Sequence, residues 1–77
     1  MGRRVTPIHY RKLLRIFELE GWVVDRQRGS YMILKKPGFV RRVVIPRRKN
    51  VPVFAIENNR KTAKMSRKRY FELLDKV

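Results

Sequence analysis

Arg26-Gln27-Arg28-Gly29-Ser30-Tyr31-Met32-Ile33-Leu34 sets a basic approach, a two-residue turn and an apolar run in succession, and this order reads as a β-hairpin. Gly29 can take the positive φ that a tight hairpin turn requires, and Ser30 can bond a neighbouring amide. Tyr31 is then the first side chain projected from the outgoing strand, and a turn approached through Arg26 and Arg28 suits a phosphate. Upstream, Trp22-Val23-Val24 is a short aromatic and β-branched run that should pair with the strand Tyr31 to Lys36, with Asp25 to Ser30 as the polar connection. Downstream, Pro37-Gly38 marks a second turn. Phe39 to Ile45 reads as a third strand, stopped by Pro46, which has no N–H to give a sheet ladder. Tyr31 and Ile33 point one way and Met32 and Leu34 the other, so both faces of the middle strand are partly apolar. The pattern leaves the covered face open.

Helices flank these strands. Thr6 followed by Pro7 supplies an N-cap and a first helical residue, and Tyr10, Leu13, Leu14 and Phe17 recur at i, i+3, i+4 and i+7, so helix one is expected from there to about Glu20, with Gly21 as its C-terminal cap. Glu18 and Glu20 lie where the helix dipole disfavours acids, and pairing with the basic sheet would account for them. Pro52 can open a second helix with Val53, Ile56 and Ala63 on its apolar side, Phe54 nearby, and Asn58, Asn59 and Arg60 exposed. Ser66 caps a last helix that buries Tyr70 or Phe71 with Leu74. Arg67, Lys68 and Arg69 fill its first turn, against the dipole preference, which suits either a phosphate at the helix N-terminus or a simple charge excess.

Composition bounds the function. The 77 residues should form one small domain, with residues 1–5 a frayed basic leader, and the core is too small for a deep pocket with a buried cofactor. There is no cysteine, hence no disulfide and no thiolate metal site, and no apolar run approaches the roughly 20 residues of a membrane span. A soluble, cytoplasmic protein is expected. Six scattered carboxylates and one histidine give neither a paired acid/base spacing nor a metal pair, so no cofactor or metal is expected. The charge is the strongest global signal: 21 Lys and Arg against 6 acids leave +15, and no acid lies between Asp25 and Glu57. That acid-free interval holds Arg26, Arg28, Lys35, Lys36, Arg41, Arg42, Arg47, Arg48 and Lys49. With Gly29, Ser30 and Tyr31 they make up the candidate nucleic-acid surface. The basic residues do not form the polar face of one long helix, which argues against a membrane surface.

Helix, three antiparallel strands, then one or two helices is an α+β order of double-stranded-RNA-binding-domain topology. Within it, Leu13-Leu14 through Glu20-Gly21-Trp22, then Arg26 to Ser30 leading into a strand, then Val43-Val44-Ile45-Pro46, Val51-Pro52-Val53-Phe54 and Ser66 to Leu74 together resemble the HicA (YcfA-like) toxin family. The resemblance implies a small ribonuclease that cleaves mRNA without a metal cofactor and is neutralised by an acidic HicB-like antitoxin. It also implies a catalytic histidine directly after the Gly-Ser turn, where this chain has Tyr31. A tyrosine phenol, with an ordinary pKa of about 10, is roughly a thousandfold less available than an imidazole as a base at neutral pH. At that position Tyr31 either stacks on a base or packs in the sheet. The single histidine, His9, lies outside the motif and reads as a surface or packing residue. Three functions stay open: a toxin that cleaves RNA with a non-standard residue, a non-cleaving RNA-binding module, and a protein acting mainly through an acidic partner.

Overall fold

A computed structural model describes residues 2–77. Its elements run α1 (Tyr10–Leu19), β1 (Val23–Arg28), β2 (Tyr31–Lys35), β3 (Val43–Pro46), α2 (Val53–Thr62) and α3 (Arg67–Leu74). The strands form one antiparallel sheet in the order β1-β2-β3, giving the expected small α+β fold.

The first helix begins later than Thr6-Pro7 suggested. Ile8 is drawn into an antiparallel bridge with Val51, whose N–H donates to the Ile8 carbonyl at 2.8 Å, and the Tyr10 N–H donates to the Arg48 carbonyl. Ile8 is therefore held in a bridge instead of a helical turn, and His9, itself extended, becomes the N-cap, its Nδ1 accepting from the Arg11 N–H at 3.1 Å. The other end follows expectation. Gly21 at φ +92° carries a Schellman closure in which the N–H groups of Gly21 and Trp22 donate to the carbonyls of Glu18 and Phe17.

Trp22 belongs to this closure and to the core, not to β1. Its ring stands edge-on to Phe17 and packs on Phe39 with centroids 5.0 Å apart. That packing also explains why the third strand is shorter than Phe39 to Ile45. Phe39 is pulled in over Trp22, its N–H bonds back to the Lys36 carbonyl, and pairing with β2 starts only at Val43. β1 is longer than expected: Arg26, Gln27 and Arg28 join the ladder past a bulge at Asp25, and the connection contracts to Gly29-Ser30.

The inner face is settled by Leu34, Val43 and Ile45, which are completely buried with Leu13, Ile16, Phe17, Ile56, Tyr70 and Leu73. By alternation, Tyr31, Ile33 and Lys35 of β2 and Val44 and Pro46 of β3 point outward. The register slips between Val24 and Arg26, and this bulge turns Asp25 to the outer side, where its carboxylate lies 3.5 to 3.7 Å from Lys35, Arg26 and Arg42.

α2 covers the free edge of β3. Asn59, expected on the exposed side, is instead 5 % exposed and takes a place in the core stripe with Ile56. Its Oδ1 accepts the outward N–H of Val44 at 3.3 Å, as a neighbouring strand would. Lys64, at φ +54°, closes α2 in the same Schellman pattern as α1, with the Met65 N–H donating to the Arg60 carbonyl. Arg60 then bridges Glu57 and the Met65 carbonyl.

Ser66 caps α3 through the Arg69 N–H, and Arg69 reaches Glu20 at 2.8 Å and Glu72 at 3.3 Å. Glu20 therefore pairs with α3, and Glu18 with Arg15, rather than with the sheet. Of the leader, Met1 lies outside the described residues. Arg3 pairs with Asp75 at 2.9 Å and lies over the Phe71 ring, and Val5 packs against the core.

Candidate nucleic-acid interface

Arg28 and Tyr31 are paired across the two-residue turn, and Gly29 alone takes positive φ (+55°), the pattern of a type II′ hairpin. The turn is tied to the segment after β3: the Arg47 N–H donates to the Ser30 carbonyl at 2.7 Å, and the Arg48 carbonyl in turn accepts from Tyr10 at the start of α1. Tyr31 is therefore held at the end of the sheet between its own turn and a strapped basic loop. Its side chain is half exposed and takes no part in the core.

Tyr31 lines a groove of about 630 Å³ between the outer face of the sheet and α2. Ser30, Val44 and Pro46 share its sheet wall, and Phe54, Ala55, Asn58, Asn59, Lys61 and Thr62 form its helical wall, with Pro52 at the start of α2. Arg41 and Arg42 enter from the link before β3, and Arg48 from the loop after it. The groove thus carries four cationic side chains and no acidic one. In such a site phosphates are attracted while apolar ring faces remain available. Asn59 lines the groove as well. With its Oδ1 held by Val44, the Nδ2 is buried without a hydrogen-bond partner, a state that costs about 1–3 kcal/mol.

The expected surface residues divide around this groove. Ser30, Tyr31, Arg41, Arg42 and Arg48 line it. Arg28 adjoins it across the turn, and Gly29 stands open at the tip, with nothing near the position a Cβ would take. Arg26 and Lys35 lie on the outer face beside Asp25; one carboxylate among three cations leaves that face positive. Lys36 and Arg47 have other neighbours. Lys36 reaches over the Phe39 ring beside Gly21, and the Arg47 guanidinium lies 5.7 Å from the Tyr10 ring centroid. Lys49 is exposed in the loop. Phe54, Asn58 and Lys61 of the groove were not among the expected site residues. Phe54 offered one signal, as a large aromatic one residue off the apolar stripe of its helix.

Two other titratable clusters sit apart from the groove lining. A hydrogen bond from Arg11, with Arg47 on its other side, holds the Tyr10 phenol below its ordinary pKa, and His9 stacks on the Tyr10 ring at 4.9 Å. At the start of α3, Arg67 reaches Glu57 and the Arg3 carbonyl while Arg69 is engaged by Glu20 and Glu72, so two of the three cations there already have protein partners. Among the described residues no three His, Asp or Glu side chains gather as metal ligands, and no helix is long and apolar enough to cross a membrane.

Comparison with known families matches residues 10–65 to the HicA toxin of bacterial toxin-antitoxin systems. The chain belongs to the HicA toxin family. The matched span runs from the first residue of α1 to the end of the α2 closure, so it contains the whole sheet, the hairpin and both walls of the groove. Membership in the HicA family implies an antitoxin partner. No curated protein and no solved structure shows significant similarity to this HicA-family chain.

Proposed function

We propose that this HicA-family chain acts on RNA, binding it along the groove and the adjoining basic face of the sheet, and that an acidic antitoxin neutralises it by covering the same surface. One observation carries the reading. Tyr31, directly after the Gly29-Ser30 turn, looks into a groove with Arg41, Arg42, Arg48 and Lys61 on its walls and no carboxylate. A core this small has no use for so concentrated a positive field, and self-repulsion destabilises the compact state unless a polyanion offsets it. An acidic partner meets the same field, which would speed its encounter and shield Arg28 and Tyr31.

The family resemblance implies metal-independent cleavage with a histidine at the position Tyr31 occupies. A phenol is a poor base at neutral pH, so the chain is read as an RNA-binding member that cleaves slowly. Salt dependence tests the binding. If each of the four groove cations neutralises one phosphate of a single strand, log K should fall against log salt with a slope of about −3. Replacing Lys61 with Ala should make that slope shallower by about 0.7. A slope near zero would remove counterion release as the driving term, and the RNA reading with it.

A further inference from the structure

We propose that the space between Tyr31 and Phe54 is a seat for one unpaired nucleobase, so that the RNA this protein prefers is single-stranded; the inference rests on the RNA-binding reading above and narrows it.

Two exposed aromatics form the first element of the seat. Phe54 stands in the first turn of α2 with 71 % of its surface exposed, and it is absent from the side chains that build or flank the core. Tyr31, half exposed and equally free of the core, stands on the sheet wall of the same groove. Two large aromatics outside the core are thus held on opposite walls, and a flat apolar ligand is what would use them.

Asn59 supplies the second, independent element. It is 95 % buried, lines the groove, and has its amide oriented by the bond from Val44, so that the unpartnered group is the Nδ2 donor. That donor is buried at the groove lining, and a ligand with an acceptor on its edge would give it a partner once a small shift of the Asn59 side chain brings the two together. Uracil, cytosine and guanine each combine flat π-faces with a ring carbonyl. Arg41, Arg42 and Arg48 are placed to take the flanking phosphates. A base inside a duplex cannot fill this role, since its faces are stacked and its carbonyl edge is largely engaged by the complement. A base splayed out of a single strand can.

The test uses the full chain and three fluorescent probes of equal length at one salt concentration: a mixed-sequence single-stranded RNA, the same RNA annealed to its complement, and an abasic ribose-phosphate strand. The single strand should bind at least about tenfold more tightly than the abasic strand, and more tightly than the duplex. Phe54→Ala, at an exposed position, should weaken the single strand by about 5-fold to 100-fold, leave the abasic strand unchanged, and be rescued by Phe54→Trp. Tyr31→Ala should act in the same direction, and thermal unfolding of each variant confirms that the fold is kept.

Equal binding of abasic and base-bearing strands, tightest binding of the duplex, or an unaltered Phe54→Ala variant would overturn the base seat while leaving a salt-sensitive RNA surface in place. If Phe54→Ala lost affinity for an acidic protein partner but not for RNA, the groove would belong to the partner and the proposal would fail. Absence of binding to all three probes would defeat the RNA reading itself, and the seat with it.

Discussion

Replacing Tyr31 with histidine separates binding from cleavage. The position is defined by backbone pairing, opposite Arg28 across the hairpin and opposite Pro46 on β3, so an imidazole there would occupy the same corner of the groove. Tyr31 is half exposed and outside the core, so the substitution should change stability by no more than about 0.5 kcal/mol. Binding should change little, because the groove cations stay in place and an imidazole can also stack. Cleavage should rise. A positioned acid or base with a pKa near 6.5 contributes about 10²-fold to 10⁴-fold, which at 1.36 kcal/mol per decade is about 2.7 to 5.4 kcal/mol of barrier. The assay is RNA cleavage in excess EDTA by both proteins at equal concentration, repeated between about pH 5.5 and 7.5, across which the variant's rate should follow the imidazole titration. If the Tyr31 protein cut RNA as fast as its variant, the phenol or another group would be an adequate catalyst and the reading of the parent as slow would be wrong. If neither cut, the family likeness at this position would extend to the fold and the RNA surface alone.

Two further variants test the core and the end of α2. Burial, with Glu57 adding to it, pushes the Tyr70 phenol up to about 12. The unfolded phenol ionises near 10, so this group's contribution to stability is intact below pH 10 and is lost as pH rises toward 12; Tyr70→Phe should unfold less readily than the parent in that window, measured by circular dichroism. The Tyr70 hydroxyl also has no hydrogen-bond partner, so the same variant should be no less stable at pH 7 and should gain up to about 1 kcal/mol. Lys64 holds a left-handed conformation at the end of α2, and Lys64→Gly should raise stability by about 1 kcal/mol, a denaturant midpoint shift without a change in m-value.

What was legible in the sequence is what short-range chemistry decides. The Gly29-Ser30 hairpin, the Gly21 helix stop and the Ser66 cap each depend on a residue and its neighbours within a turn, and each stands where the sequence puts it. The α+β order follows from those punctuation marks and the apolar runs between them, and the basic surface follows from the gap in acids between Asp25 and Glu57.

Long-range contacts decided the remainder. Thr6-Pro7 is a sound local helix start, yet the bridge between Ile8 and Val51 outcompetes it and hands the cap to His9. Phe39 has strand propensity, yet Trp22 offers it a packing partner and the strand begins four residues later. Asn59 reads as polar and exposed, but a sheet edge brought beside α2 needs an acceptor for the Val44 N–H, and that demand draws the side chain inside. The groove is of the same kind: Tyr31 and Phe54 are 23 positions apart in the sequence and line one groove only because α2 packs along the edge of β3. Local sequence determines turns, caps and charge because their energies lie within a few residues of backbone. The site is assembled from an edge strand, a loop and a helix, and a contact between segments distant in the chain has no energy until the fold has brought them together.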